Sequence, residues 1–139
     1  MTVKQLIRYV SAYYENWNRE LEERYISDFD ISLKERVGSL SPGQRQKVAI
    51  LLATGFEPEL LILDEPSLGL APNLVKDAFQ KLVEINKTRK ITMLIVEQKV
   101  NEILNISDRV YSIKLGRVAF EGRSEELKGN KKKLNELFL

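Results

Sequence analysis

One short segment limits the possible folds of this chain more than any other. Residues 60–67 read LLILDEPS, an apolar run of four residues that ends in two acids and a proline. A run this short, bounded by Pro58 and Asp64, predicts a fully buried strand over residues 60–63. A strand buried on both faces is typical of a parallel sheet covered by helices, so the segment predicts an α/β fold.

The spacing of apolar residues divides the chain into a helical first part and an alternating second part. Helices are predicted over residues 3–16, from Asn18 to about Tyr25, and over 42–54, with a loop over residues 27–39. Strands are predicted over 60–63 and 91–96 and as a hairpin turning at Gly116, with helices starting at Pro72 and Lys99. This alternation predicts two parallel strands joined by a crossover, followed by a helical tail.

The composition excludes several classes of chemistry. The 139 residues contain no cysteine and no histidine, so disulfides, the usual zinc sites and histidine-based catalysis are excluded. The formal net charge is only +2, which gives no support for nucleic-acid binding, because that needs a clustered basic face. No apolar run approaches the roughly 18 residues of a membrane span, and no signal peptide opens the chain. A cytoplasmic location is therefore expected.

The two acids that follow the first predicted strand are candidates for chemistry. Side chains at the carboxyl end of a buried parallel strand project into the crevice where open α/β sheets bind ligands. Asp64 is placed to hold a magnesium ion that carries phosphates. Glu65 is placed to accept a proton from an attacking water or to hold that water in line. The simpler interpretation is that both acids only end the strand, with Pro66 starting a turn.

A second segment, residues 40–44, reads LSPGQ and also has two interpretations. Ser41, Pro42 and Gln44 form a helix start, with serine at the N-cap, proline at the first helical position and glutamine at the third. The same helix N-terminus offers unpaired backbone N–H groups to an anion such as phosphate. Gly43 would let the backbone approach that anion closely.

The two segments together resemble motifs of the ATP-binding cassette (ABC) family, the ATPase subunits of ABC transporters. LSPGQ resembles the signature motif and LLILDE the Walker B strand, while PSLGLAP and LIVEQ stand where the D-loop and the switch are expected. The stretch DRVYSIKLGRVAFEG resembles the end of the catalytic domain. The resemblance implies part of a P-loop NTPase fold, with three regions: a helical subdomain over 1–54, the C-terminal part of the RecA-like core over 55–123, and a helical tail over 124–139.

The resemblance also implies a role for each motif residue. Asp64 would hold Mg²⁺, Glu65 would be the general base, and Gln98 at the switch would be the second catalytic residue. The family's cassettes dimerise head to tail, which would place residues 67–71 at the dimer interface. The helical subdomain would contact transmembrane subunits, so the protein would be peripheral at the inner face of the cell membrane. The residues expected to bind the γ-phosphate of an ATP held by a second cassette are Ser41, Pro42, Gly43 and Gln44.

The sequence departs from the family's pattern at the switch and the D-loop. The switch usually carries histidine, whereas Gln98 can hydrogen-bond a phosphate oxygen but cannot carry charge, so weaker transition-state stabilisation is expected. Ala71 replaces the usual D-loop aspartate. PSLGLAP and VEQ resemble the branched-chain amino-acid uptake branch, whereas MTVKQLIRYVSAYYENWN and LSPGQRQKVAI resemble exporter cassettes for drugs, antibiotics or lipids. The transported substrate therefore stays open.

The phosphate-binding pattern G-x-x-x-x-G-K-[ST] does not occur in these 139 residues. The chain is therefore expected to begin just after the family's glutamine loop and to hold roughly the C-terminal half to two-thirds of a cassette. ATP affinity comes mostly from the backbone N–H groups and the lysine of that loop, so the chain alone is expected to hydrolyse no ATP. Open strand edges predict self-association, domain swapping or docking on a separate N-terminal fragment. Two alternatives are a non-catalytic interaction or dimerisation module and a plain α/β domain whose acids cap strands.

Overall fold

The computed structural model describes residues 1 to 138, which form two compact units. The first unit comprises residues 1–96, and the second begins at Glu97. Both units contain helices and strands, which confirms the predicted mixed α/β class. The predicted order, helices first and then alternating strand and helix, is also confirmed.

Three helices open the first unit: α1 (Val3–Ser11), α2 (Arg19–Asp28) and α3 (Pro42–Thr54). α1 begins at the predicted capping box, in which Thr2 and Gln5 bond each other's backbone N–H groups. α2 begins after Asn18, whose Oδ1 accepts a hydrogen bond from the Leu21 N–H at 2.9 Å. Both α1 and α2 pack against α3. The segment predicted as a loop contains a short 3-10 turn, Val37–Ser39.

The first helix is shorter than the predicted range 3–16, because it ends at Ser11. The chain then turns toward the end of α3. Asn16 Nδ2 donates to the Phe56 carbonyl and the Asn18 N–H donates to the Gly55 carbonyl, both at 2.7 Å. These long-range bonds replace the helical pattern that the apolar spacing predicted.

Gly55 directly follows α3, as predicted, but it does not adopt a left-handed conformation. Its φ is −62°, a right-handed value that any residue can adopt. A Cβ atom at this position would lie 2.6 Å from the ring of Trp17. Close packing of the indole therefore explains this glycine better than backbone freedom.

Two strands, β1 (Leu60–Asp64) and β2 (Thr92–Val96), complete the first unit, with the long helix α4 (Pro72–Arg89) between them. They pair in parallel, as predicted, with Leu60 opposite Thr92 and Asp64 opposite Val96. The prediction of full burial is wrong, because only alternate residues are covered. Within residues 1 to 138 this sheet has two strands, and one face stays exposed. This exposed strand face consists of Leu60, Ile62, Leu94 and Val96, each 51–63% exposed.

The second unit is a hairpin flanked by helices. Its elements are α5 (Val100–Ile106), β3 (Arg109–Lys114), β4 (Arg117–Arg123), a 3-10 turn (Ser124–Glu126) and α6 (Lys131–Phe138). β3 and β4 are antiparallel and turn at Leu115 and Gly116, as predicted. α6 packs against β3. None of the helices in the described residues is long and apolar enough to cross a membrane.

Candidate functional site

The N-terminus of α3 carries four predicted site residues, Ser41 to Gln44, which we name the α3 turn. Ser41 Oγ accepts a hydrogen bond from the Gln44 N–H at 3.2 Å, and Gln44 Oε1 accepts one from the Ser41 N–H at 2.8 Å. Pro42 occupies the first turn of the helix. This capping box fixes the conformation of the turn. Ser41 and Pro42 are exposed, so a ligand can reach them.

The carboxyl end of β1 carries the two predicted acids. Asp64 is exposed, while Glu65 is half-buried and its N–H donates to the Val96 carbonyl at 2.9 Å. Glu65 has φ +46°, a left-handed conformation that costs roughly 1–2 kcal/mol for a residue with a Cβ atom. The Leu68 N–H donates to the Glu65 carbonyl at 2.9 Å and helps to hold this turn. Backbone strain of this kind is typical of functional sites.

The α3 turn and the end of β1 meet at one cavity of the first unit. The cavity has a volume of about 300 Å³ and is lined by Pro42, Gln46, Asp64 and Glu65, together with apolar residues of α3 and β1. Gln46 Nε2 donates a hydrogen bond to the Pro66 carbonyl. This bond ties α3 directly to the turn that follows the two acids.

The donor set at this cavity suits a hard cation that carries phosphates. Asp64 offers carboxylate oxygens, which Mg²⁺ prefers. Within residues 1 to 138 no group of three or more histidine, cysteine, aspartate or glutamate side chains could hold a metal ion together. A magnesium ion at Asp64 would therefore complete its coordination with phosphate oxygens and water, as is usual for this ion.

Gln98, the residue predicted for the switch, lies in the second unit, just before α5. Glu97 Oε2 accepts hydrogen bonds from the N–H groups of Gln98 at 2.8 Å and of Lys99 at 3.0 Å. The Val100 N–H donates to the Gln98 carbonyl at 3.0 Å. The backbone of Gln98 is therefore fixed on both sides, while the residue is exposed.

Three residues at the α3 turn were not predicted: Glu35, Gln46 and Leu74. Gln44 Nε2 donates to Glu35 Oε2 at 3.2 Å, and a Cβ on Gly43 would lie 3.3 Å from Leu74 Cδ1. Gln46 follows the α3 turn by two residues on the same helix, so its place beside the site could have been inferred from the sequence. Glu35 and Leu74 are distant in sequence, and no motif points to them.

A parallel strand that ends in two acids lies beside a capped helix N-terminus, within an α/β domain. Solved structures of nucleotide-binding cassettes share this fold. An ATP-binding cassette of an ABC transporter matches the chain with a TM-score of 0.78 and 30% identity, covering all of this chain and 63% of that one.

Sequence comparison gives the family. The profile of the ABC transporter family matches residues 3–68. The probable branched-chain amino acid transport ATP-binding protein LivF of Archaeoglobus fulgidus is 39% identical over 95 residues, 68% of this chain and 40% of the relative. The branched-chain amino acid transport ATP-binding protein BraG of Pseudomonas aeruginosa is 37% identical over 112 residues, 81% of this chain and 44% of the relative. The chain belongs to the ABC transporter family and has its P-loop NTPase fold, and it spans less than half the length of these two relatives.

Proposed function

We propose that this chain is part of the ATP-binding and ATP-hydrolysing subunit of an ABC transporter. The observation that supports this most is the cavity at which Pro42 meets Asp64 and Glu65. Asp64 would hold Mg²⁺, and the bound ion would neutralise developing phosphate charge. Glu65 orients and deprotonates the attacking water. Gln98 donates a neutral hydrogen bond to a phosphate oxygen.

The α3 turn acts on the nucleotide of a second cassette in a head-to-tail dimer. Ser41 and Pro42 are exposed. Pro42 has no N–H and the capping box engages those of Ser41 and Gln44, so the Gly43 N–H is the backbone donor that the α3 turn offers to a γ-phosphate. Residues 67–71 lie at the interface of that dimer, where Leu68 is 74% exposed in this chain. Residues 1–54 form the helical subdomain, which contacts transmembrane subunits from the cytoplasmic side of the membrane. Residues 55–123 belong to the catalytic core.

The polypeptide of these 139 residues does not hydrolyse ATP by itself. It contains no G-x-x-x-x-G-K-[ST] pattern, so it lacks the backbone cradle and the lysine that hold β- and γ-phosphates. A second candidate function, a non-catalytic interaction module, is favoured by the exposed strand face of Leu60, Ile62, Leu94 and Val96. An exposed apolar face of this kind promotes association with another chain.

Phosphate release from Mg-ATP tests the proposed function. The chain alone should show none, whereas a hybrid cassette should hydrolyse ATP when residues 1–138 replace the corresponding part of the LivF relative. ATP binding to the hybrid is measured in parallel as the control for its folding. A hybrid that binds ATP but shows no turnover would favour the interaction module. Turnover by the chain alone that disappears in Glu65→Gln would contradict the proposed inactivity.

A further inference from the structure

The side-chain amide of Gln44 is engaged at both ends. Its Oε1 accepts from the Ser41 N–H at 2.8 Å, and its Nε2 donates to Glu35 Oε2 at 3.2 Å. Gln44 is one of the residues expected to bind the γ-phosphate, and this amide nitrogen is the only donor group in its side chain. In the structure it already faces an anionic oxygen of its own chain.

Glu35 offers Gln44 the same kind of acceptor that a phosphate would. Carboxylate and phosphate oxygens both accept charge-assisted hydrogen bonds from an amide N–H. Glu35 is half-buried and takes part in no ion pair among residues 1 to 138. As a carboxylate in contact with the α3 turn, it opposes the approach of another anion to that turn.

The backbone of Glu35 is fixed to the start of α1. The Val3 N–H donates to the Glu35 carbonyl at 2.9 Å, and the Val37 N–H donates to the Met1 carbonyl at 3.2 Å. Thr2 and Arg36 also form an isolated antiparallel bridge. The position of the Glu35 carboxylate therefore depends on the position of the first turn of α1.

We propose that Glu35 is a positioning residue that holds Gln44 in a resting conformation and competes with phosphate for its amide. This inference rests on the proposed function, in which the α3 turn contacts a γ-phosphate. A bound phosphate displaces the Glu35 carboxylate from Gln44.

The contact itself is tested by NMR on the full ¹⁵N-labelled chain without ligand. Glu35→Ala should shift the side-chain amide resonances of Gln44, because it removes their acceptor. Glu35→Gln retains an acceptor oxygen, so it should shift them less and serves as the conservative variant. Glu23→Gln is the matched control, since Glu23 is an exposed glutamate on α2, a helix that does not include Glu35. Gln44 resonances that stay unmoved in Glu35→Ala would overturn the proposal.

The competition is tested by titrating inorganic triphosphate into the same four chains and following the amides of Gly43 and Gln44. Glu35→Ala and Glu35→Gln should both bind about threefold to fivefold more tightly than the unchanged chain, the effect of one nearby charge. Glu23→Gln should change the affinity by less than about 1.5-fold, because exposed charges are screened. Equal affinity in all four chains would overturn the role of Glu35 and leave the proposed function intact. Binding to none of them would contradict the anion-binding role of the α3 turn and, with it, the role of Glu35.

Discussion

At Gly55 the end of α3 and the indole of Trp17 leave no room for a side chain. Trp17 is only 9% exposed, and its Nε1 donates to Glu22 Oε2 at 2.6 Å. The ring therefore cannot move aside without losing a hydrogen bond and its packing. A methyl group at Gly55 would force this arrangement apart.

Gly55→Ala should lower the free energy of unfolding by about 1–3 kcal/mol, the usual cost of overpacking a core. Gly38→Ala is the matched control, because a Cβ there meets no atom within 4 Å. Urea denaturation of both variants measures the difference. Equal stability of the two variants would show that Trp17 does not restrict this position.

Glu65 is the residue where strain and proposed chemistry coincide. Its φ of +46° was not predictable from the local pattern, because a strand end followed by proline is compatible with several turns. The bonds that hold it come from Val96 and Leu68, and Val96 belongs to the neighbouring strand. The identity of the acid could thus be predicted from sequence, while its conformation could not.

At the scale of elements, local signals predicted the start of each of the first three helices and the end of α3, but not the ends of α1 and α2, which lie at Ser11 and Asp28. The starts of α1, α2 and α3 depend on caps within three residues, namely Thr2, Asn18 and Ser41. The end of α1 depends instead on bonds to Gly55 and Phe56, some 40 residues away. Strand positions were predictable in the same way, but their burial was not, because burial depends on which neighbours cover the sheet.

The β3–β4 hairpin contains a turn residue that fits its conformation poorly. Leu115 has φ +51° and is 97% exposed, and it precedes Gly116 with φ +75°. Two successive positive φ values are typical of a two-residue hairpin turn that favours Asn-Gly. Leucine has neither the small size nor the local hydrogen bonding that makes asparagine acceptable there.

Leu115→Asn should stabilise the hairpin by about 0.5–1 kcal/mol, since part of the cost of a left-handed leucine is removed. Hydrogen exchange of the β3 and β4 amides is the measurement, because it reports local opening of this element. Leu115→Ala, which keeps a Cβ without the side-chain amide, is the control. Faster exchange in Leu115→Asn than in the unchanged chain would contradict the assignment of this turn.

At the scale of the whole molecule, the exposed strand face promotes association. Ile62 is 63% exposed and Leu94 is 51% exposed, on paired strands of the same sheet. Large exposed apolar patches are unusual in monomeric soluble proteins. We expect the purified chain to associate with itself in a concentration-dependent way.

The double variant Ile62→Thr and Leu94→Thr should weaken this association by at least about tenfold, because it removes two of the four apolar side chains of the face. Val118→Thr is the control, since Val118 is equally apolar, 60% exposed and on β4. Sedimentation velocity over a range of concentrations measures the effect. A clean monomer at high concentration would contradict the predicted association.

Glu65 is expected to perform the chemistry of an ABC ATPase once a phosphate-binding loop is supplied. In the hybrid cassette, Glu65→Gln should reduce phosphate release from Mg-ATP by about 100-fold or more, the contribution of a general base, while ATP binding is retained. Glu59→Gln, an exposed acid just before β1, should leave turnover unchanged. Turnover in Glu65→Gln equal to that of the unchanged hybrid would contradict the role of Glu65 as the general base.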